Sequence, residues 1–125
     1  MGERVSPALL VAVGGALGAL LRFGTVQVTR ALFGVGFPLG TLVVNGLGCL
    51  AAGLVAAWLE ARGESAQLRA FLAIGLLGGF TTFSAFGVET LALLREGRTA
   101  AALGYVALSL ACGLGGVALG LRLAR

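Results

Sequence analysis

The segment Gly75-Leu76-Leu77-Gly78-Gly79-Phe80-Thr81-Thr82-Phe83-Ser84 decides the fold, because it interrupts a long apolar run with residues that make a poor helix interior. Paired glycines are followed, after one phenylalanine, by two β-branched threonines, and both residue types disfavour a helix centre. Apolar residues continue on either side of this segment, so the whole run is long enough to cross a bilayer. The pattern predicts a membrane-spanning helix at Leu68–Leu94 that is broken near its middle.

Three further apolar runs flank the broken one, and each matches the roughly 20 apolar residues that a hydrocarbon core of about 30 Å requires. They cover Pro7–Leu32, Pro38–Trp58 and Thr99–Leu123. The connections between runs are Leu32–Pro38, the polar segment Glu60–Ser65, and Arg95–Arg98. Four spans use nearly all of the 125 residues. The sequence therefore predicts an all-α, multi-pass membrane protein with one four-helix transmembrane domain, residues 1–125.

The overall composition agrees with a membrane protein and argues against other classes. Apolar residues make up 58% of the chain and charged residues 11%, and the mean hydropathy is +1.03. A soluble domain of this size cannot bury that much apolar surface. The net charge of +4 comes from arginines at the ends of apolar runs rather than from a basic cluster, so no nucleic-acid partner is expected. Without a nucleophile–base pair or a metal constellation, the chain is not expected to be an enzyme.

Glycines spaced four residues apart predict close contacts between helices. The chain has 22 glycines, and many lie four apart, as in Gly14/Gly18, Gly75/Gly79 and Gly116/Gly120. Such pairs mark helix faces on which two backbones can approach each other. Because four thin helices enclose little volume, this packing also suggests an oligomer.

The arginines give only a weak orientation signal. One membrane side, which holds both termini and the second connection, carries five arginines: Arg4, Arg62, Arg69, Arg122 and Arg125. The opposite side carries Arg30, Arg95 and Arg98, with Arg22 leaning toward it from within the first span. Orientation depends on such a bias in short loops. The count leaves two arrangements open, a single topology and a dual topology in which copies insert both ways.

A few polar side chains within the spans are the candidate functional residues, since polar groups are costly in hydrocarbon. Thr41 and Asn45 lie four residues apart, and therefore on one face of the second span. Tyr105 and Ser109 have the same spacing in the fourth span. An intramembrane amide such as that of Asn45 commonly bonds another helix for stability, and it can also donate to an ion. The sequence leaves these two roles open.

The break in the third span adds further candidates, namely Thr81, Thr82 and Ser84 beside Phe83 and Phe86. A broken helix exposes carbonyls at the end of one half, which can hold a cation, and amides at the start of the other, which favour an anion. The two phenylalanines are three residues apart and share a face. Their rings either pack, which is the commoner role, or present positive edges to an anion.

Three segments resemble the Fluc/CrcB family of fluoride channels. They are Gly18–Arg22 in the first span, Gly40–Asn45 in the second and Gly78–Phe86 in the third, and the resemblance covers essentially the whole chain. It implies an antiparallel, dual-topology homodimer in the lipid bilayer, with two fluoride pores and a structural Na⁺ at its centre. It implies passive export of fluoride across the inner or plasma membrane of the cell, which protects enzymes that fluoride inhibits.

The resemblance also implies roles for individual residues. Phe83 and Phe86 would be the pore phenylalanines, and Asn45 would be an amide donor in the pore. The main-chain carbonyls of Gly78 and Thr81 from both subunits would hold the Na⁺. The remaining positions are Tyr105 and Ser109 at the start of a polar track, Thr41, Thr82 and Ser84 along the same route, Glu89 at an acidic position past the break, and Arg22 near the vestibule.

This sequence departs from the family pattern at Gly113 and Val117, where the track often continues with hydroxyls, and at Ala85, where threonine is common. Two other functions stay open. A small multidrug exporter also has four spans, but proton-coupled versions need an acid in the first span, and this first span has none. A purely structural membrane bundle predicts no conductance.

Overall fold

Five helices build the four spans. The computed structural model describes residues 3–63 and 65–125, and these residues contain helices and turns but no strand. The helices are α1 (Pro7–Phe33), α2 (Leu39–Arg62), α3 (residues 66–80), α4 (Phe83–Arg95) and α5 (Thr99–Leu123). Helices α3 and α4 are the two halves of the third span, Ala66–Arg95, and all four spans are long and apolar enough to cross a membrane. The predicted spans are confirmed.

The second helix is longer than predicted. It continues past the predicted end at Trp58 as far as Arg62, so residues 60–62 are helical rather than part of a loop. The Arg62 guanidinium lies over the Trp58 ring, 4.7 Å from its centroid, and this cation–π contact one turn apart favours the extra turn. The helix ends at Gly63, whose φ of +75° is readily adopted only by glycine. Glu64, also in the predicted loop, lies outside the described residues.

The break in the third span is narrower than predicted. Helix α3 reaches Phe80, and only Thr81 and Thr82 adopt extended backbone before α4 begins. Thr82 caps α4, because its hydroxyl accepts a hydrogen bond from the Ala85 amide at 3.2 Å. The middle of α3, Arg69–Leu77, is π-helical, and there the Gly78 amide donates to the Ala73 carbonyl five residues back. Nothing in the sequence analysis predicted this wider coil.

Glycines bring α1 against α3, as the four-residue spacing predicted. A Cβ added to Gly14 would lie 2.6 Å from the Phe71 carbonyl oxygen, and one added to Gly79 would lie 2.5 Å from the Gly15 carbonyl oxygen. Such distances leave no room for a side chain. The two backbones are therefore in direct contact along this face.

A second glycine contact joins α2 to α5. A Cβ on Gly53 would lie 2.9 Å from the Leu121 nitrogen and 3.0 Å from the Gly120 Cα. A Cβ on Gly116 would lie 3.1 Å from the Leu50 nitrogen. The fold thus consists of two closely packed helix pairs, α1 with α3 and α2 with α5. Helix α4 completes it by packing Leu93 against Ala102 and Tyr105 of α5.

Large apolar side chains point outward around the bundle. Leu32 is 71% exposed and Leu114 is 72% exposed, and many other leucines and valines are similarly placed. In water such a surface would be an aggregation hazard, whereas in a bilayer it faces lipid. Together with the four spans, this surface defines a multi-pass membrane protein.

Candidate functional site

The side chain of Asn45 bonds the break directly. Its amide nitrogen donates to the Thr82 carbonyl at 2.8 Å, and its amide oxygen accepts from the Thr82 amide at 2.8 Å. The paired bonds fix α2 to the junction of α3 and α4, which is the structural role that the sequence left open. A carboxamide has two N–H groups, and these bonds use one of them. The second N–H is available for another acceptor.

A second polar group, here called the carboxylate cluster, consists of Glu89, Thr41 and Tyr105. Its Thr41 lies one helical turn before Asn45 on α2. Glu89 of α4 accepts from the Thr41 hydroxyl at 2.8 Å through one oxygen and from the Tyr105 hydroxyl at 2.9 Å through the other. Tyr105 is completely buried, and 4% of Thr41 is exposed. The two hydroxyl donors satisfy a carboxylate that would otherwise be costly at membrane depth. The protons of Thr41 and Tyr105 are therefore directed at Glu89.

Aromatic rings connect the break to this carboxylate cluster. The ring centroids of Phe83 and Phe86 are 5.7 Å apart, and those of Phe86 and Tyr105 are 5.3 Å apart. Phe37, from the connection between α1 and α2, packs edge-on against Tyr105 at 5.5 Å. These four rings, here called the aromatic column, form a continuous series of ring contacts. The prediction that Phe83 and Phe86 share a face is confirmed.

A cavity of about 360 Å³ opens between the α1–α2 connection and α4. Thr41 and Glu89 line its inner part, and Arg30, Glu96 and Arg98 line the rest together with Phe37 and other residues. The Arg98 side chain donates to the Gly36 carbonyl, which ties the connection to the turn before α5. The cavity therefore leads from charged residues at the end of the bundle to the carboxylate cluster.

Arg22 of α1 bonds the carboxyl end of α3, just before the break. Its Nε donates to the Gly79 carbonyl at 3.1 Å, near the carboxyl end of α3. Unbonded carbonyls give that end of a helix negative character, so a guanidinium is favourable there. This contact gives the intramembrane charge of Arg22 a local partner. The vestibule role implied by the resemblance stays a prediction.

The remaining predicted residues are partly brought together. Ser84 lies beside Thr82, with their hydroxyl oxygens 3.3 Å apart. The Ser109 hydroxyl oxygen is buried and has no hydrogen-bond partner among the described residues. Unsatisfied buried hydroxyls are uncommon and require an explanation. Beyond Ser109, Gly113 lies next to α2, where a Cβ would be 3.6 Å from the Cys49 sulfur, so this position serves helix packing.

Sequence reasoning missed Phe37 and the hydrogen-bond partners of Glu89. Phe37 extends the aromatic column, yet it lies in a connection where no periodic pattern could place its ring. Glu89 was noted as an intramembrane acid, but its partners come from α2 and α5, and only the tertiary structure identifies them.

These features define a class of protein: a small multi-pass membrane protein in which polar and aromatic side chains gather around a helix broken inside the bilayer. Such irregular backbone occurs at membrane depth only where it is enclosed by protein or lines a path for solutes. The family described as "CrcB-like protein, Camphor Resistance (CrcB)" matches residues 9–121. The chain belongs to this family.

Curated relatives match almost end to end. A protein of Paracoccus denitrificans is 51% identical over 117 residues, covering 94% of this chain and 93% of the relative. A protein of Thermus thermophilus is 50% identical over 115 residues, covering 92% of each chain. A protein of Hyphomonas neptunium is 49% identical over 119 residues, covering 94% of each chain. All three are named "Fluoride-specific ion channel FluC".

Proposed function

We propose that this chain is a fluoride-selective passive channel that exports fluoride from the cytoplasm across the inner membrane. The observation that carries the proposal is that the Asn45 amide bonds Thr82 at the break, directly before Phe83, where the aromatic column begins. The names of the relatives support the same ion. No nucleotide is needed, because the ion would move down its electrochemical gradient.

The chemistry of the path suits a small, strongly hydrated anion. A narrow pore must replace the hydration shell of the ion with donors. The second N–H of Asn45 and the buried hydroxyl of Ser109 are suitable groups, and Ser84 lies beside the break. Ring edges of Phe83 and Phe86 carry partial positive charge, which stabilises an anion without binding it tightly. Thr41, Thr82 and Tyr105 would shape the same route through their bonds to Glu89 and the break.

We propose that the channel is an antiparallel homodimer with two pores and one central Na⁺. The weak arginine bias permits insertion in both orientations. Gly78 is exposed in the single chain, and a Cβ there would meet only the Ala73 oxygen, at 3.7 Å. This side of α3 is therefore free to face a second copy. Carbonyl oxygens of Gly78 and Thr81 at a helix break fit a hard monovalent cation, which would link the two subunits.

Ion efflux from liposomes tests the function directly. Purified protein is reconstituted into vesicles loaded with fluoride, with chloride, or with a cationic dye. The proposed channel releases fluoride, retains chloride and does not move the dye. Dye transport coupled to a proton gradient would instead identify a multidrug exporter. Retention of all three solutes would identify a structural bundle.

Asn45→Asp is expected to reduce fluoride efflux by at least about tenfold while the protein still folds and assembles. A carboxylate cannot donate to an anion, and its charge repels one. It also places an acceptor opposite the Thr82 carbonyl, which now accepts from Asn45. Efflux is compared in samples that elute as the same oligomer as the unmodified protein. Undiminished efflux from such a sample would remove Asn45 from the ion path.

Labelling of a single cysteine is expected to show both orientations. Cys49 and Cys112 are free thiols, so both are first replaced by alanine. A cysteine introduced at Ser6, before α1, should then react with an impermeant reagent from outside the cell in about half of the copies, as equal insertion in two directions requires. The internal half should react only after permeabilisation. Reaction from one side alone would contradict dual topology.

A further inference from the structure

The hydrogen bonds around the break deprive the two carbonyls that we propose as sodium ligands of their helical donors. In a continuous α-helix each amide donates to the carbonyl four residues earlier. The Thr82 amide would then bond Gly78, and the Ala85 amide would bond Thr81. In this protein the Thr82 amide bonds the Asn45 side chain at 2.8 Å, and the Ala85 amide bonds the Thr82 hydroxyl at 3.2 Å. Both carbonyls have lost the donors that a helix would supply.

Three neighbouring carbonyls at the break, those of Leu77, Gly79 and Thr82, have donors. The Leu77 carbonyl accepts from the Thr81 amide at 3.0 Å and from the Thr81 hydroxyl at 2.9 Å. The Gly79 carbonyl accepts from Arg22, and the Thr82 carbonyl accepts from Asn45. Because the positively charged guanidinium of Arg22 bonds the Gly79 carbonyl, that oxygen is not available to a cation. The Gly78 carbonyl thus lies between two paired carbonyls, and the Thr81 carbonyl lies beside one, that of Thr82, while the Phe80 carbonyl also lacks its helical donor, the Ser84 amide.

We infer that the side chains of Asn45 and Thr82 are positioning residues of the sodium site: by taking the amides of Thr82 and Ala85, they release the carbonyl oxygens of Gly78 and Thr81 for the cation. The inference rests on the proposed central Na⁺ and extends it to residues that do not themselves touch the ion. It also gives Asn45 two tasks. One edge of its carboxamide holds the break open, and its second N–H is left to donate to the proposed anion.

Sodium-dependent thermal stability tests the inference without any measurement of flux. The full-length protein is melted in detergent in NaCl and in N-methyl-D-glucamine chloride, and the melting temperature is followed as Na⁺ is added. A ligand that binds only the folded assembly stabilises it in proportion to the logarithm of one plus the ratio of its free concentration to its Kd. The unmodified protein should show a rise in melting temperature, and the Na⁺ concentration at which the rise begins gives an apparent affinity for Na⁺.

Thr82→Val removes, at nearly constant shape, the hydroxyl that accepts from the Ala85 amide, so this amide becomes free to bond the Thr81 carbonyl instead. The apparent affinity for Na⁺ is expected to fall by at least about tenfold. Thr82→Ser keeps the hydroxyl, so its apparent affinity for Na⁺ should match that of the unmodified protein. Thr90→Val is the matched control, because the Thr90 hydroxyl bonds the Phe86 carbonyl within α4 and lies away from the break. Its affinity for Na⁺ should be unchanged.

Asn45→Leu should weaken sodium binding in the same way, because leucine cannot accept from the Thr82 amide. If the leucine variant fails to fold, the Thr82 variants still decide the test. A merely structural role lowers the melting temperature equally with and without Na⁺, whereas a positioning role removes the sodium-dependent part. A full sodium-dependent rise in both Thr82→Val and Asn45→Leu would overturn the inference and leave the Na⁺ proposal standing. No sodium-dependent rise in the unmodified protein would overturn both, while fluoride efflux would still report on the channel itself.

Discussion

Phe83→Ile is expected to reduce fluoride efflux by at least about tenfold while it leaves the melting temperature nearly unchanged. The Phe83 side chain is 83% exposed in the single chain, so its removal opens no cavity there. Isoleucine retains apolar bulk but lacks the ring edge that we propose to stabilise the anion. Phe83 also begins the aromatic column, where its ring lies 5.7 Å from that of Phe86.

Phe33→Ile is the matched control, since Phe33 ends α1, is 70% exposed and lies outside the aromatic column. Its efflux should equal that of the unmodified protein. Phe86→Ile should impair efflux as well, but Phe86 contacts two rings and is partly buried, so some loss of stability is expected with it. If Phe83→Ile lowered efflux and melting temperature in parallel, a packing role would account for the ring.

Gly53→Val is expected to prevent folding or to lower stability severely. A single Cβ at Gly53 would already lie 2.9 Å from the Leu121 nitrogen and 3.0 Å from the Gly120 Cα. Both are backbone atoms, which cannot move aside as the end of a flexible side chain can. Overpacking of side chains costs about 1–3 kcal/mol, and separation of two helices should exceed that. The yield of folded protein and its melting temperature in detergent measure the effect.

Gly24→Val is the corresponding control. Gly24 lies within α1, and a Cβ there would meet nothing within 4 Å. Valine in a helix is no worse than glycine in intrinsic propensity, so stability should be retained. A comparable loss in both variants would show that valine itself, rather than the α2–α5 contact, is destabilising.

Much of the architecture follows from hydrophobic pattern alone. The four apolar runs predicted the spans to within a few residues, because each must cover the hydrocarbon core. The glycine pairs predicted faces on which two backbones can approach, but not which helices meet there, and Gly53 of α2 belongs to none of those pairs. The end of α2 was predicted too early, because the stacking of Arg62 on Trp58 extends the helix through residues that are polar in sequence.

The site was less accessible to sequence reasoning. The sequence identified Asn45 and Thr82 as polar residues in the membrane, but their reciprocal hydrogen bonds depend on how α2 meets the break. The π-helical middle of α3 consists of ordinary apolar residues, so no local signal marks it. Phe37 is placed by the fold of a connection, and its contact with Tyr105 arises only when α5 packs nearby.

The glycine contacts between α2 and α5 bear on how well the cell keeps its membrane potential. They set the spacing of these two helices by backbone atoms, with no side chain whose rotamer could change to widen or narrow it. In the proposed channel these helices carry Asn45 and Tyr105 on the walls of the ion path. If thermal motion widened that path enough to pass chloride, chloride would leak across the membrane and lower its potential. Stiff walls, made by omitting side chains, would keep the path narrow enough to hold back the larger ion.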